Sequence, residues 1–123
     1  MRVAIVGSRD FGSPDVVEAY VNSLPPDTIV ITGGARGVDR WAENYARARE
    51  MTVELFPADW TRYGKSAGFR RNVQMVERAD KVVVFWDGKS PGTKHSIELA
   101  RAAGKLDKLF THSGAGRERE DTP

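Results

Sequence analysis

Near its amino terminus the chain reads Val3-Ala4-Ile5-Val6-Gly7, four apolar residues followed by a glycine. Two further apolar runs, Ile29-Val30-Ile31 and Val82-Val83-Val84-Phe85, occur later in the chain. Continuous apolar runs are typical of parallel strands that are buried on both faces of a sheet. We therefore predict that these three segments are the central strands of a parallel sheet.

Two other segments, Val53-Glu54-Leu55-Phe56 and Leu106-Asp107-Lys108-Leu109, are interrupted by polar residues and are predicted to be edge strands. Helical patterns lie between the strands, which predicts an α/β, Rossmann-like three-layer αβα sandwich with a five-stranded parallel sheet. Right-handed crossovers then give the order 3-2-1-4-5, and a crevice opens between strands 1 and 4, where the order reverses. The predicted strands are Val3–Val6, Thr28–Thr32, Val53–Phe56, Lys81–Trp86 and Leu106–Phe110, and the helices lie near Pro14–Leu24, Val38–Arg49, Ser66–Arg78 and Thr93–Ala103.

The composition is that of a folded protein, with 123 residues, 40% hydrophobic residues and a net charge of +2. We predict one domain over residues 1–112 and a polar, disordered tail over residues 113–123. The chain has no cysteine and only two histidines, so we expect no disulfide, no metal site and no cofactor. It has neither a signal-peptide pattern nor an apolar run long enough for a membrane, so we expect a cytoplasmic protein without membrane contact.

Three loops that connect a strand to a helix are predicted to meet at the carboxyl edge of the sheet. Their glycines would let backbone N–H groups approach a phosphate at a helix N-terminus. In the second loop the glycine order is G-G-x-x-G, which differs from the dinucleotide fingerprint G-x-G-x-x-G. The candidate ligand-binding residues are Gly7, Ser8 and Arg9 in the first loop, Gly33, Gly34, Arg36, Gly37 and Asp39 in the second, and Gly92, Thr93 and Ser96 in the third.

Several other residues allow two interpretations each. Asp39 is a candidate ligand, but a carboxylate in the first turn of a helix is also favoured by the helix dipole alone. The aromatic and basic segment 59–72 suits stacking on a base and contact with a phosphate, or is a packed surface loop. Trp41 and Tyr45 suit either the core or a dimer contact. We expect His95 and His112 to be exposed helix and tail residues rather than ligands.

Four motifs in order carry a family resemblance: Gly7-Ser8-Arg9-Asp10-Phe11, Thr32-Gly33-Gly34-Ala35-Arg36-Gly37-Val38-Asp39, Arg71-Asn72 followed by Met75, and Gly92-Thr93 followed by Ile97-Glu98-Leu99-Ala100. Over about residues 1–105 the chain closely resembles the SLOG superfamily, in particular its YspA (cpYpsA-related) branch. The resemblance implies a Rossmann-like fold that binds nucleotides or nucleotide-derived ligands. Relatives include the Lonely Guy phosphoribohydrolases and the DNA-processing protein A family, which binds single-stranded DNA.

The hydrolase relatives have the motifs R-K-x-x-M and P-G-G-x-G-T-x-x-E. Arg71-Asn72-Val73-Gln74-Met75 is similar to the first motif, with Asn72 in place of the lysine. In the second motif Ser96 takes the position of the catalytic glutamate, and Glu98 lies two residues further on. The resemblance makes Arg71 and Glu98 the candidate catalytic pair. Because a serine hydroxyl cannot supply the negative charge that glycosidic cleavage needs, we expect little or no release of base from adenosine monophosphate (AMP).

The first interpretation is therefore a domain that binds a nucleotide-type small molecule through its Gly-rich loops, as a sensor or a sequestering module. Arg71 and Asn72 would join the loop residues at the ligand. The alternatives are a phosphoribohydrolase acting on nucleoside monophosphates and a protein that binds single-stranded nucleic acid. The balance of 19 basic and 17 acidic residues does not favour nucleic acid. A homodimer is expected because members of the resembled family commonly pair through helices.

Overall fold

Strands and helices alternate along the chain in the computed structural model, which describes residues 1–112 and 118–121. The strands are β1 (Arg2–Gly7), β2 (Ile29–Thr32), β3 (Thr52–Leu55), β4 (Lys81–Trp86), β5 (Leu106–His112) and β6 (Glu118–Asp121). The helices are α1 (Pro14–Ser23), α2 (Val38–Ala48), α3 (Trp60–Tyr63), α4 (Ala67–Arg78) and α5 (Pro91–Ala102), with a 3-10 turn at Gly64–Ser66 between α3 and α4.

The first five strands form a parallel sheet in the order β3-β2-β1-β4-β5, which confirms the predicted order and the Rossmann-like fold. In the centre of the sheet Ala4 lies opposite Ile31 of β2 and Val82 of β4. The residues of the apolar runs in β1 and β4 are buried, as expected for strands that are covered on both faces. The crevice between β1 and β4 therefore opens where the sequence predicts it.

A sixth strand, β6, pairs antiparallel with β5 at the edge of the sheet. This differs from the prediction of a disordered tail over residues 113–123. Without β6 the backbone N–H and C=O groups on the outer edge of β5 would have no partner. A neighbouring strand pairs with them through its own backbone, so it does not need apolar side chains. Residues 113–117 and 122–123 of the predicted tail lie outside the described residues.

Alternate side chains of β1 contribute to different cores on the two faces of the sheet. Val3 and Ile5 lie in a core with α1 and α2, whereas Ala4 and Val6 lie in a core with α4 and α5. The first core includes the stacked rings of Phe85 and Phe110, whose centroids are 4.7 Å apart. The two cores produce three layers, helices on either side of one sheet.

The aromatic pair on α2 packs inward. Trp41 and Tyr45 are half-buried against the core beneath α1 and α2. Their contact with this core agrees with the first of the two predicted roles. The homodimer stays a prediction.

Tyr20 provides a test of the first core. Its side chain is 7% exposed, and its hydroxyl has no hydrogen-bond partner among the described residues. Burial, together with the nearby Asp107 charge, raises the pKa of Tyr20 above its ordinary value. Because a buried hydroxyl without a partner costs free energy, Tyr20→Phe is expected to stabilise the protein by about 1 kcal/mol in urea unfolding.

The matched control is Tyr45→Phe, because Tyr45 is only half-buried. We expect it to change the free energy of unfolding by less than about 0.5 kcal/mol. A loss of stability in Tyr20→Phe that the control does not share would show that the Tyr20 hydroxyl is bonded, and would contradict this description of the core.

Candidate functional site

A cleft of about 520 Å³ lies at the carboxyl ends of β1 and β4. Residues from all three predicted loops line it, together with α4. Of the predicted site residues, the structure brings to this cleft Gly7, Ser8, Arg9, Asp39, Arg71, Asn72, Gly92, Thr93 and Ser96. Those that do not line the cleft are Gly33, Gly34, Arg36, Gly37 and Glu98.

Asp39 lies in the first turn of α2 and is 5% exposed. The backbone amide of Ala35 lies 3.4 Å from its Oδ2 atom, and the amides of Gly7 and Gly33 also face the carboxylate. Backbone amides and the helix dipole favour an anion at the start of α2. The Asp39 carboxylate occupies this position, so the protein's own side chain is the anion there.

Burial raises the pKa of Asp39 to about 6, whereas the nearby Arg71 charge and the three amides act in the opposite direction. Arg71 reaches this position from α4. Its Nη1 donates to the Gly33 carbonyl at 3.1 Å and its Nε donates to Asn72 Oδ1 at 3.0 Å. The loop after β2 is thus fastened to α4 by a buried carboxylate and a guanidinium.

At two positions of the second loop, Gly33 and Gly37, neighbouring atoms leave little room for a side chain. A side chain at Gly33 would collide with the Arg71 guanidinium and the Asp39 carboxylate. Gly37 has φ +79°, and a Cβ there would lie 2.6 Å from the Arg9 carbonyl oxygen. Both glycines allow close approach within the protein.

Hydroxyl and carboxylate groups hold the start of α5 against β1. Ser8 Oγ donates to Thr93 Oγ1 at 3.2 Å and accepts from the Asp87 amide at 3.1 Å. Asp87 in turn accepts from the amides of Lys89 and Ser90. Although partial burial favours the neutral acid, these hydrogen bonds and those involving the Ser90 and Ser8 side chains lower the pKa of Asp87.

The first turn of α5 lines the cleft without a side-chain cap. The hydroxyl of the N-cap residue Ser90 is donated to Asp87 instead, at 2.8 Å. Pro91 has no N–H, and the first N–H groups of any α-helix have no acceptor within the helix. Gly92 and Thr93 therefore present backbone donors there, and a Cβ at Gly92 would have no atom within 4 Å.

Three aromatic side chains also line the cleft. Trp60 and Phe69 are 57% and 56% exposed, and Phe69 stacks on His95 with ring centroids 4.1 Å apart. His95 was expected to be an exposed helix residue, but it is half-buried because α4 packs against α5 and brings Asn72 Nδ2 to 3.3 Å from His95 Nδ1. These three aromatic residues are not among the site residues predicted from the sequence, although segment 59–72 contains two of them. Nothing is described of the His112 side chain.

The candidate catalytic pair is not brought together at the cleft. Glu98 is exposed on α5 and does not line the cleft, whereas Ser96 is 4% exposed and lines it. Asp10 and Asp39 are the carboxylates of the described residues that do line it. Within residues 1–111, whose side chains the structure describes, no group of His, Asp or Glu could hold a metal ion. No helix in that part of the chain combines the length and apolar character needed to span a membrane.

Comparison with known proteins gives matches to a family and to a fold. A model of the YspA, cpYpsA-related SLOG family matches residues 1–63. The Gene 61 protein of Mycobacterium phage D29 is 39% identical in an alignment of 113 positions, which covers 84% of this chain and 90% of that protein. The X-ray structure of DNA processing protein A (DprA) from Streptococcus pneumoniae has a TM-score of 0.72 at 21% identity and matches 92% of this chain. The match covers 50% of the DprA chain, so this chain spans about half its length, and the likeness concerns the fold.

The raised pKa of Asp39 predicts how stability depends on pH. In an unfolded chain the pKa of Asp is about 3.9, so the folded protein binds this proton more tightly than the unfolded chain does. The stability that this proton contributes is complete below about pH 4 and is lost as the pH rises through about 6. Relative to Asp39→Asn, the wild-type protein is expected to lose about 2 kcal/mol of unfolding free energy between pH 4 and pH 7.

Urea unfolding of both proteins at several pH values measures this difference, and the other titrating groups cancel in the comparison. A difference that stays constant from pH 4 to pH 7, or that grows in favour of the wild type, would contradict the account of Asp39.

Proposed function

The chain belongs to the YspA, cpYpsA-related SLOG family, and from that premise we propose that it binds a nucleotide or a nucleotide-derived ligand in the cleft, as a sensor or a sequestering module. The observation that supports this proposal most is the uncapped first turn of α5 at the cleft. Arg9 and Arg71 line the same cleft, and guanidinium groups suit phosphate oxygens.

In this proposal the phosphate lies at the start of α5. The Gly92 and Thr93 amides and the Thr93 hydroxyl donate to it, and the helix dipole favours its charge. The glycine-rich loop after β2 is the poorer phosphate site because the Asp39 carboxylate already faces its amides. A second anion placed against the same amides would be repelled by Asp39, whereas Asp87, the carboxylate near the start of α5, is bonded to the Lys89 and Ser90 amides and does not line the cleft.

Substitution of Gly92 tests the phosphate position. Gly92 does not have positive φ and has open space around the position of a Cβ, so Gly92→Val is expected to leave the fold intact. The added side chain fills the space from which a phosphate would approach the amides. We expect the Kd for AMP, measured by calorimetry, to rise at least about tenfold, the effect of losing charge-assisted hydrogen bonds.

Ala102→Val is the matched control, because it adds bulk to the exposed far end of the same helix. The control is expected to bind AMP as the wild type does. If Gly92→Val keeps the wild-type affinity for AMP, or if the wild type binds no nucleoside monophosphate, the proposed site is wrong.

We propose binding without turnover. Cleavage of a glycosidic bond needs a carboxylate near the ribose, and Glu98 does not line the cleft. Of the two carboxylates that do line it, Asp39 faces Arg71 and backbone amides, and Asp10 is exposed in the loop after β1. Incubation of the pure protein with AMP, followed by chromatography, is expected to yield no more free adenine than the buffer alone. Adenine in excess of the protein concentration that disappears in Glu98→Gln would establish the phosphoribohydrolase instead.

Single-stranded nucleic acid is the second candidate ligand. The name of the structural neighbour, DNA processing protein A, connects that protein to DNA. In this chain Arg62 and Arg70 lie over the ring of Tyr63, at 5.1 and 4.4 Å from its centroid, on the segment that carries the exposed Trp60 and Phe69. Arginine beside exposed aromatic rings suits single strands. We rank this candidate below a mononucleotide because a net charge of +2 provides few cations for a long strand.

A further inference from the structure

We infer that the aromatic wall, defined as Trp60, Phe69 and His95, is the subsite for the nucleobase of the ligand. This inference rests on the proposed nucleotide-binding function and adds the position of the base. The base stacks on the aromatic wall, while the phosphate lies at the start of α5 in the same cleft. The ribose connects the two ends within the same cleft.

The exposure of the rings is the first argument. Large aromatic side chains are normally buried, because each removes 150–250 Å² of mostly apolar surface from water. Four large hydrophobic residues of the described chain are exposed, and the two aromatic ones, Trp60 and Phe69, line the same cleft. Exposed apolar surface gathered at one polar cleft is typical of a binding site.

The rigidity of the aromatic wall is the second argument. Arg71 Nε donates to Asn72 Oδ1, which fixes the amide so that Asn72 Nδ2 faces Gly92 O at 3.4 Å and His95 Nδ1 at 3.3 Å. The Asn72 amide therefore contacts the His95 ring as well as the start of α5. The same ring stacks on Phe69 with an angle of 23° between the planes. Phe69 is therefore held in place before any ligand arrives, which lowers the entropy cost of binding.

Trp60 is supported from the side of α4. A Cβ at Gly68 would lie 3.5 Å from the Cη2 atom of Trp60, so the indole lies over the glycine backbone. The short helix α3 that carries Trp60 is capped by Asp59, whose side chain accepts from the Arg62 amide at 3.1 Å. Two supported aromatic side chains in one cleft suit a flat, apolar ring system, which among the parts of a nucleotide is the base.

Calorimetric titration with AMP, GMP, CMP, UMP and ribose 5-phosphate tests the base subsite. The proteins are the wild type, Phe69→Leu and Trp60→Leu, with Leu55→Ala as the control. Leu55 is 43% exposed, like the two test residues, but does not line the cleft. Because both test residues are exposed, the variants are expected to keep the wild-type unfolding midpoint, which urea unfolding verifies.

We expect the wild type to bind at least one nucleotide more tightly than ribose 5-phosphate, by about fivefold to about a hundredfold. Phe69→Leu and Trp60→Leu are expected to lose about fivefold or more of the affinity for that nucleotide while keeping the affinity for ribose 5-phosphate. The control is expected to change neither. A wild type that binds nucleotides but not ribose 5-phosphate also supports the base subsite, provided that the two variants weaken nucleotide binding.

The two possible failures differ in this experiment. Nucleotides that bind both aromatic variants with wild-type affinity would overturn the base subsite and leave the proposed function standing. A wild type that binds none of the nucleotides would overturn both. If no mononucleotide binds, an oligodeoxythymidine is titrated in the same way. Binding to the wild type that weakens in both aromatic variants would assign the aromatic wall to single-stranded nucleic acid instead.

Discussion

The buried carboxylate of Asp39 connects the parts of the cleft. It lies at the start of α2, faces the amides of Gly7, Gly33 and Ala35, and carries the charge opposite to that of Arg71 from α4. Through these groups it connects the loops after β1 and β2 with a helix on the other side of the sheet. Its position also determines where a ligand's charge can go, because a carboxylate already occupies the amides of the glycine-rich loop. This is the reason that we propose the start of α5 as the position of a phosphate.

The cleft is lined by two different kinds of group. The side formed by β1 and α5 presents backbone amides and the hydroxyl of Thr93, which accepts from the buried Ser8 hydroxyl. The side formed by α3 and α4 presents the exposed rings of Trp60 and Phe69. Asn72 joins the two sides, because its amide faces both the Gly92 carbonyl and the His95 ring. A ligand that has an anionic group and a flat aromatic ring matches these two kinds of group, and a nucleotide has both.

The sheet order could be predicted from the sequence because strands buried on both faces have continuous apolar runs, as β1 and β4 do. The strand β6 could not, because backbone pairing with an edge strand requires no particular side chains. The packing role of Gly33 depends on Arg71, which is 38 residues away in the chain, and a local motif gives no indication of such a partner. His95 joins the cleft only because α4 packs against α5. Local patterns thus predict the loops, whereas contacts between helices determine which groups within them remain free.

The central claim is that a phosphate binds at the start of α5 and not in the glycine-rich loop. The most direct measurement is the amide NMR spectrum of ¹⁵N-labelled protein during titration with AMP. The account predicts that the signals of Gly92 and Thr93 move most among the glycine and loop amides, while those of Gly33 and Ala35 stay near their starting positions because they keep their bonds to Asp39. Large shifts at Gly33 and Ala35 with unmoved signals at Gly92 and Thr93 would contradict it.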